Sequence, residues 1–111
     1  EWLEAVAGGE SRTVVALHDE AVVGHGMLVP DEGGAFELAL FVLHPYQGAG
    51  IGTELLRTLL GLGQESGVDR VWLSVERWND AAIAVYKKVG FVQVGSASFE
   101  LEMALRLAPG P

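Results

Sequence analysis

The feature that most constrains the fold is a cluster of glycines at the mouth of a predicted helix. Residues 44–56 have the sequence HPYQGAGIGTELL, so three glycines occupy five positions directly before a leucine-rich run. Glycine has no Cβ atom to hinder access to the backbone amides, and the first amides of a helix have no partner within it. The helix dipole adds partial positive charge at the same end. The cluster therefore predicts an anion-binding site, with a tight turn that binds nothing as the alternative.

Hydrophobic patterning predicts elements in the order β-β-β-α-β-α-β-β. Runs of β-branched residues and alternation indicate strands, while apolar spacings of three and four indicate helices. The apolar run from Ala35 to Leu43 predicts a central strand covered on both faces. Strand-helix-strand alternation predicts a mixed α/β sheet in which the first helix crosses between parallel neighbours. The predicted elements are residues 13–17, 21–29, 35–43, 50–66, 70–76, 80–89, 91–95 and 99–107.

Composition limits the classes of function. With 111 residues, half of them apolar, the whole chain 1–111 is expected to form one domain. Fifteen acidic against seven basic residues argue against nucleic acid as a partner, because binding it requires clustered Lys and Arg. There is no cysteine and the three histidines lack ligand spacing, so no metal site is expected. No membrane-length apolar stretch or signal-peptide pattern is present, which predicts a cytoplasmic protein with no membrane partner.

Two common phosphate-binding motifs do not match the glycine turn. A Walker-type loop ends in Gly-Lys-Ser/Thr, whereas Thr53 and Glu54 follow the last glycine here. A Rossmann fingerprint requires glycine at position 53 and an acidic residue closing the next strand, which Glu76 matches only loosely. The glycine turn therefore requires a different comparison.

Two motifs together resemble the signatures of the GNAT superfamily of N-acetyltransferases. Gln47–Gly52, QGAGIG, is similar to the family's Gln/Arg-x-x-Gly-x-Gly/Ala signature. Residues 79–91, NDAAIAVYKKVGF, are similar to its second signature, Asn-x-x-Ala-x-x-x-Tyr-x-x-x-Gly-Phe. One predicted helix and one strand separate the motifs, in the family's order. The resemblance covers about residues 13–107 as the core and implies the family's mixed central sheet, with its N-terminal strand and helices missing and residues 1–12 a remnant of that region.

The resemblance implies acetyl-CoA as co-substrate and an amine of a small molecule or protein as acceptor. In the family, the glycine turn binds the pyrophosphate, and the preceding strand offers its backbone to the pantetheine arm. Carried over, this assigns coenzyme contacts to the backbone of Leu40, Phe41 and Val42, to Gln47, Gly48, Ala49, Gly50, Ile51, Gly52 and Thr53, and to Asn79, Ala82 and Tyr86.

Glu37 and Tyr86 are the candidate catalytic residues. Glu37 lies within the apolar run AFELALF, ten residues before Gln47, where several lysine-acetylating members of the family carry their glutamate base. An apolar setting would raise the pKa of Glu37 and suit it to accept a proton, directly or through water. An edge-facing or salt-bridged glutamate is the alternative. Tyr86 resembles the family's tyrosine near the coenzyme sulfur, where a phenol can protonate the leaving thiolate, and core packing is its alternative role.

Direct attack of the amine in a ternary complex is the expected route, because the chain has no cysteine to carry an acyl group. A non-catalytic domain that binds or senses acetyl-CoA within a larger protein is the alternative, and a purely structural dimerising domain is a third. The final strand, Leu101 to Leu107, is expected to be an exposed edge at which a second copy can pair, so a homodimer is one expected assembly.

Overall fold

A mixed β-sheet with both α-helices on one face organises the chain. The computed structural model describes residues 2–8, 10–48 and 50–108, and within them there are seven strands and two α-helices. The strands are β1 (Trp2–Gly8), β2 (Ser11–His18), β3 (Ala21–Pro30), β4 (Phe36–Val42), β5 (Arg70–Glu76), β6 (Val92–Ser96) and β7 (Glu100–Arg106); the helices are α1 (Ile51–Glu65) and α2 (Asp80–Val89), and a 3-10 turn spans His44–Tyr46.

The strand order across the sheet is β1-β2-β3-β4-β5-β7-β6. Strands β4 and β5 are parallel and all other neighbours are antiparallel, with α1 as the crossover between the parallel pair. The predicted mixed sheet and its crossover are therefore confirmed. The predicted strands 13–17 and 21–29 correspond to β2 and β3, which form a hairpin whose turn holds Asp19 and Glu20 at positive φ, the backbone that a two-residue hairpin turn favours.

The helices form where the periodic pattern predicts them. Helix α1 buries Leu55, Leu56 and Leu59 completely, and burial of a leucine side chain contributes roughly 1.5–3 kcal/mol. Helix α2 is capped by Asn79, whose side chain accepts a hydrogen bond from the amide of Ala82, and it ends at Gly90, where φ is 112°. Both helices pack on the same sheet face and share one core with it. Among the described residues, neither helix has the length and hydropathy that crossing a bilayer requires.

The predicted order of elements lacks β1, which corrects the expectation that the N-terminal strand is missing. Residues 2–8 pair antiparallel with β2 along their whole length, from Trp2 opposite Leu17 to Gly8 opposite Ser11. The segment contains the apolar run Ala5-Val6-Ala7 and no clear alternation, so pairing with β2 rather than local patterning determines its structure. An N-terminal strand is thus present as an edge of the sheet.

The prediction of an exposed final strand is wrong. Strand β7 is paired on both sides, with β5 through residues such as Val75 opposite Leu101 and with β6 through Val92 opposite Ala104. The edge on this side of the sheet is β6, because the chain forms β6 first and then turns back between β6 and β5. Pairing of a second copy at Leu101 to Leu107 is therefore excluded in this fold.

The prediction for β4 is half correct. The strand is central, between β3 and β5, but it is not covered on both faces. Leu38 is buried against the helices, whereas Glu37 and Phe41 point to the opposite side and are exposed. We call this helix-free side of the sheet the open face; by alternation and register its exposed residues include Val29, Glu37, Ala39, Phe41, Arg70, Ser74, Glu76, Glu100 and Glu102.

Candidate active site

Strands β4 and β5 separate after a short stretch of pairing. Their register is limited to Phe36 opposite Val71 and Glu37 opposite Trp72, although β4 continues to Val42 and β5 to Glu76. A cavity of about 550 Å³ lies where the pairing ends, with Leu40 and Ser74 among the residues that line it. The split between two parallel strands thus creates a cleft in the middle of the sheet.

The cleft is bordered by backbone groups of β4 that β3 does not use. The amide of Leu43 donates to the carbonyl of Val23, 2.9 Å away. Backbone groups in an antiparallel ladder alternate in direction, so the groups of Phe41 also face β3 while those of Leu40 and Val42 face β5. Beyond the short paired stretch, β5 is too far away to use them. An extended ligand can therefore hydrogen-bond to the backbone of Leu40 and to the amide of Val42 as an added strand would.

The glycine turn lies at one end of the cavity. Gly48 and Gly50 have φ of 85° and 84°, a conformation that side-chain-bearing residues rarely adopt, and both line the cavity. A Cβ built on either glycine would meet no atom within 4 Å, so each would project into open space. The Gln47 side chain fastens the turn to the end of β4 by donating from Nε2 to the carbonyl of Val42 at 2.9 Å.

The first amides of α1 face this turn and, within the described part of the chain, have no partner in the helix. Glu54 donates the first bond of the helix, to the carbonyl of Gly50 at 3.0 Å, so the amides of Ile51, Gly52 and Thr53 precede the bonded ladder. Gly52 and Thr53 line the cavity, whereas the Ile51 side chain is buried in the core. These amides and the dipole of a 15-residue helix favour an anion, and the missing Cβ atoms leave room for one as large as a phosphate.

The part of the cavity lining that belongs to the open face is acidic. Ser74, Glu76 and Glu100 line the cavity and belong to the open face, whereas the lining residues Val75 and Tyr86 belong to the helix-covered face. The cavity therefore reaches both faces of the sheet through the gap between β4 and β5. The glycine turn presents amides for an anion, and the open face presents two carboxylates.

A family model described as the acetyltransferase (GNAT) family matches residues 1–91. The chain belongs to the GNAT acetyltransferase family. An N-acetyltransferase of Mycobacterium tuberculosis is 35% identical over 89 residues, which cover 79% of this chain and 57% of that protein. A [ribosomal protein bS18]-alanine N-acetyltransferase of Haemophilus influenzae is 41% identical over 80 residues, covering 70% of this chain and 53% of that protein. The chain thus spans little more than half the length of these relatives.

Solved structures of the GNAT family have the same fold. An acetyltransferase from Salmonella typhimurium, determined with acetyl-CoA, superposes with a TM-score of 0.78 at 22% identity and covers 92% of this chain and 68% of that one. The resemblance seen in the two sequence motifs is therefore confirmed at the level of family and fold.

The GNAT signature residues converge on the cavity. The structure brings together residues from both motifs, from the end of β4 and from β5, although 26 or more positions separate the two motifs in sequence order. Ala49 lies outside the described residues, the Ile51 side chain is in the core, and Phe41 is 58% exposed on the open face and is not a lining residue. The predicted coenzyme residues that line the cavity are Leu40, Val42, Gln47, Gly48, Gly50, Gly52, Thr53, Asn79, Ala82 and Tyr86.

Tyr86 is held rigidly in the wall of the cavity. Its side chain is only 8% exposed and packs edge to face against Phe91, with ring centroids 5.7 Å apart. Burial raises the pKa of the Tyr86 phenol above its ordinary value of 10.0. The phenol therefore stays protonated at neutral pH and can donate a hydrogen bond into the cavity. Core packing, the alternative role, holds for the ring at the same time.

Asn79 has a structural role that the sequence also predicts. Its Oδ1 accepts a hydrogen bond from the amide of Ala82 at 3.2 Å, which caps α2. The same residue lines the cavity, and so does Ala82. The cap fixes the start of α2 beside the end of β5, which in turn fixes the depth at which Tyr86 enters the cavity.

Glu37 does not have the surroundings that its sequence context predicts. It lies on the open face of β4, is exposed, and is not among the lining residues of the cavity. The flanking apolar residues point to the opposite face because side chains alternate along a strand. The apolar enclosure expected for Glu37 is therefore absent.

Three polar lining residues were not predicted as site residues: Ser74, Glu76 and Glu100. Alternation within RVWLSVE indicates that Ser74 and Glu76 share a face, which is a signal available in the sequence. The position of Glu100 depends on the register of β7 against β5, where it lies opposite Glu76. That register is a long-range property, so no local pattern predicts it.

Proposed function

We propose that this domain transfers the acetyl group of acetyl-CoA to a primary amine by direct attack in a ternary complex. The observation that carries the proposal is the cleft that crosses the sheet, with the first amides of α1 at the glycine turn, carboxylates on the open face and the Tyr86 phenol in its wall. Two substrates can enter such a cleft from opposite faces and meet inside it. A covalent acyl-enzyme is not required, and the chain has no cysteine to form one.

The glycine turn fits the pyrophosphate of the coenzyme. Gly48 and Gly50 leave open space where side chains would stand, and the amides of Gly52 and Thr53 supply donors. Among the residues that the structure describes, no Lys or Arg lines the cavity, so binding of the phosphates relies on backbone dipoles. The backbone of Leu40 and Val42 is the matching edge for the amide-containing pantetheine arm. When bound, acetyl-CoA supplies an activated thioester.

Tyr86 is the proposed acid in the reaction. Its phenol, which is protonated at neutral pH, donates a hydrogen bond to the departing sulfur and stabilises the negative charge that develops there. Assistance of this kind contributes about 10²- to 10⁴-fold to a rate. Because the phenol also packs against Phe91, its position is set before the substrates arrive.

The attacking amine must lose its proton, and the carboxylates on the open face are the candidate acceptors. Glu76 and Glu100 line the cavity and can act directly or through one water. Glu37 lies on the same face but outside the lining, so a role as base requires a longer water relay. We therefore propose Glu76 or Glu100 as the direct base and retain Glu37 in the relay.

An amino-terminal α-amine of a polypeptide is the acceptor that this site fits best. An α-amine has a pKa of about 7.7–8.0 and is partly neutral near pH 7.5, whereas an alkyl amine near 10.4 is almost wholly protonated. No carboxylate among the described residues is buried, so the site contains no base in an apolar setting that would suit the harder deprotonation. The name of the Haemophilus influenzae relative agrees, because alanine has no amine other than its α-amine.

A coenzyme-binding domain without transfer is the second candidate, favoured by the exposure of every carboxylate near the cavity. Calorimetric titration with acetyl-CoA, free CoA and adenosine, followed by thiol-release assays, separates the candidates. Release with a peptide bearing a free α-amine supports the proposal. Release only with lysine-containing, N-terminally blocked peptides overturns the acceptor, binding without release favours the second candidate, and no binding by a folded chain overturns both.

A further inference from the structure

Two exposed aromatic side chains form a pair at the acidic mouth of the cleft. Trp78 is 63% exposed and Phe99 is 68% exposed, and their rings meet edge to face with centroids 6.3 Å apart. Trp78 lies in the turn after β5, and Phe99 lies in the turn before β7. Large aromatic side chains that remain exposed while in contact with each other are typical of binding surfaces.

Arg77 holds the two turns together. Its Nη2 donates to the carbonyl of Ala97 at 2.8 Å, its Nε donates to the carbonyls of Ala97 and Ser98 at 3.2 Å, and its amide donates to the carbonyl of Phe99 at 3.0 Å. A residue between two cavity-lining positions, Glu76 and Asn79, is thereby fixed against the opposite turn. The aromatic pair is preorganised, which lowers the entropy cost of binding.

The chain positions connect this pair to the cavity. Glu76 ends β5 two residues before Trp78, and Glu100 begins β7 directly after Phe99. Both glutamates line the cavity and lie opposite each other across the two strands. The rings therefore stand immediately outside the end of the cleft through which we propose the acceptor enters.

The charge around the pair is negative. Glu76, Glu100 and Asp80 are exposed, and none of them has an ion-pair partner among the residues that the structure describes. The neighbouring cation, Arg77, directs its guanidinium to the carbonyls of the β6–β7 turn. Aromatic faces beside carboxylates attract a guanidinium or ammonium group, since the ring quadrupole and the charges act in the same direction.

We infer that Trp78, Phe99, Glu76 and Glu100 form an acceptor-recognition rim for polypeptides that carry an arginine or lysine close to their amino terminus. The basic side chain lies against Trp78 and the carboxylates while the α-amine enters the cleft. This inference rests on the proposed function, of which it specifies the substrate class. It predicts that the rim acts on acceptor binding and not on the coenzyme, because both glutamates belong to the open face whereas the glycine turn leads into α1 on the helix-covered face.

The test compares peptides that differ at one side chain. Wild-type protein is assayed with peptides in which residue 2 is arginine or its neutral isostere citrulline, and kcat/KM is measured with acetyl-CoA saturating. We expect roughly a three- to tenfold preference for arginine, expressed in KM, the scale of an exposed cation–π contact with weak ion pairs. Trp78→Ala is expected to abolish the preference in turnover. The double variant E76Q/E100Q, which also lacks the proposed base, is expected to abolish it in peptide binding measured without turnover. Val92→Ala, which removes an exposed side chain from the start of β6, is expected to keep it.

Two further measurements distinguish a failure of the proposed rim from a failure of the proposed transfer reaction. Acetyl-CoA affinity by calorimetry is expected to be equal in wild type and Trp78→Ala; a loss there would overturn the inference by assigning the aromatic pair to the coenzyme. Binding of both peptides is also measured by fluorescence anisotropy with CoA present, which needs no turnover. Selective binding of the arginine peptide without turnover keeps the rim and overturns the transfer reaction, whereas turnover without preference keeps the reaction and overturns the rim.

Discussion

Glu76 and Glu100 lie directly opposite each other on β5 and β7, and both side chains line the acidic end of the cleft. Like charges in a directly opposed cross-strand pair repel each other, so the arrangement costs stability that a structural role does not explain. Such a cost is typical of residues retained for binding or catalysis.

Glu76→Gln is expected to stabilise the fold and to impair transfer. Removing one charge relieves the repulsion, by about 0.2–0.5 kcal/mol because both side chains are exposed and screened by solvent. Thermal unfolding at low and high salt measures the gain, which should shrink as salt screens the pair. Initial rates of thiol release measure the loss of turnover.

Glu102→Gln is the matched control for this variant. Glu102 is exposed on the same face of β7, but it lies opposite Ser74 rather than another carboxylate. A gain in stability equal to that of Glu76→Gln would show that the gain comes from the change in net charge and not from relief of the repulsion between Glu76 and Glu100.

Gly50→Ala is expected to weaken acetyl-CoA binding by tenfold or more. Gly50 has φ of 84°, and placing a Cβ residue in this conformation costs roughly 1–2 kcal/mol. The new methyl group would also project into the space where the phosphates are proposed to bind. Calorimetric titration with acetyl-CoA gives the affinity, and thermal unfolding gives the strain.

Gly61→Ala in the middle of α1 is the control for Gly50→Ala. A Cβ at Gly61 meets no atom within 4 Å and its φ is not positive, so alanine is expected to stabilise the helix by up to about 1 kcal/mol. Its coenzyme affinity should equal that of wild type. Equal affinity in Gly50→Ala would contradict the assignment of the glycine turn to the phosphates.

Local chemistry explains which of these residues the sequence reveals. The glycine turn can be predicted because the positive φ of its glycines, the amides at the start of α1 and the start of the helix itself all depend on residues that are adjacent in the sequence. The surroundings of Glu37 are not predicted, since an apolar run such as 35–43 fits a strand covered on both faces as well as one covered by helices on a single face. The opposition of Glu76 and Glu100, and the insertion of β7 between β5 and β6, depend on long-range register that no short pattern encodes.

Tyr86→Phe is expected to slow turnover by about 10²-fold or more while the fold keeps its stability. Phenylalanine retains the edge-to-face contact with Phe91, so the loss is confined to the hydroxyl. Tyr46→Phe, at a partly buried tyrosine that contacts His18, serves as the control and should keep full activity. Retained activity in Tyr86→Phe would remove the phenol from the mechanism and leave it a packing role.

The raised pKa of Tyr86 has a consequence for the pH profile. Below its ordinary value of 10.0 the phenol is protonated in both folded and unfolded chains, so activity should show no loss from its ionisation up to that pH. Above 10.0 the unfolded chain ionises first, and stability should fall as pH rises toward the higher folded pKa. The Tyr86→Phe variant should lack this alkaline loss of stability. Thermal unfolding from about pH 8 to about pH 11, a range that brackets the reference pKa of tyrosine, would measure the difference.

Asp31→Asn is expected to destabilise the fold at neutral pH and to have little effect in acid. Asp31 Oδ2 accepts from Trp72 Nε1 at 2.8 Å, and Oδ1 accepts from the amides of Gly33 at 2.8 Å and Ala35 at 3.0 Å. These bonds, the one from Trp72 most of all, lower the pKa of the Asp31 carboxyl below 3.8. The asparagine amide nitrogen cannot accept from the indole, so one of the two sites loses its partner.

The sign of the pH dependence follows from that depressed pKa. The folded chain favours the carboxylate, so its contribution to stability is present above 3.8 and is lost as pH falls through the lower folded value. Melting temperatures of wild type and Asp31→Asn should therefore differ at pH 7 and converge in acid, at and below about pH 3. Glu32→Gln removes the same charge from an exposed position in the same turn and should leave the melting temperature nearly unchanged at both pH values. A difference between wild type and Asp31→Asn that stays constant down to that acid range would mean that the amide disturbs the turn by its shape and not through the carboxylate.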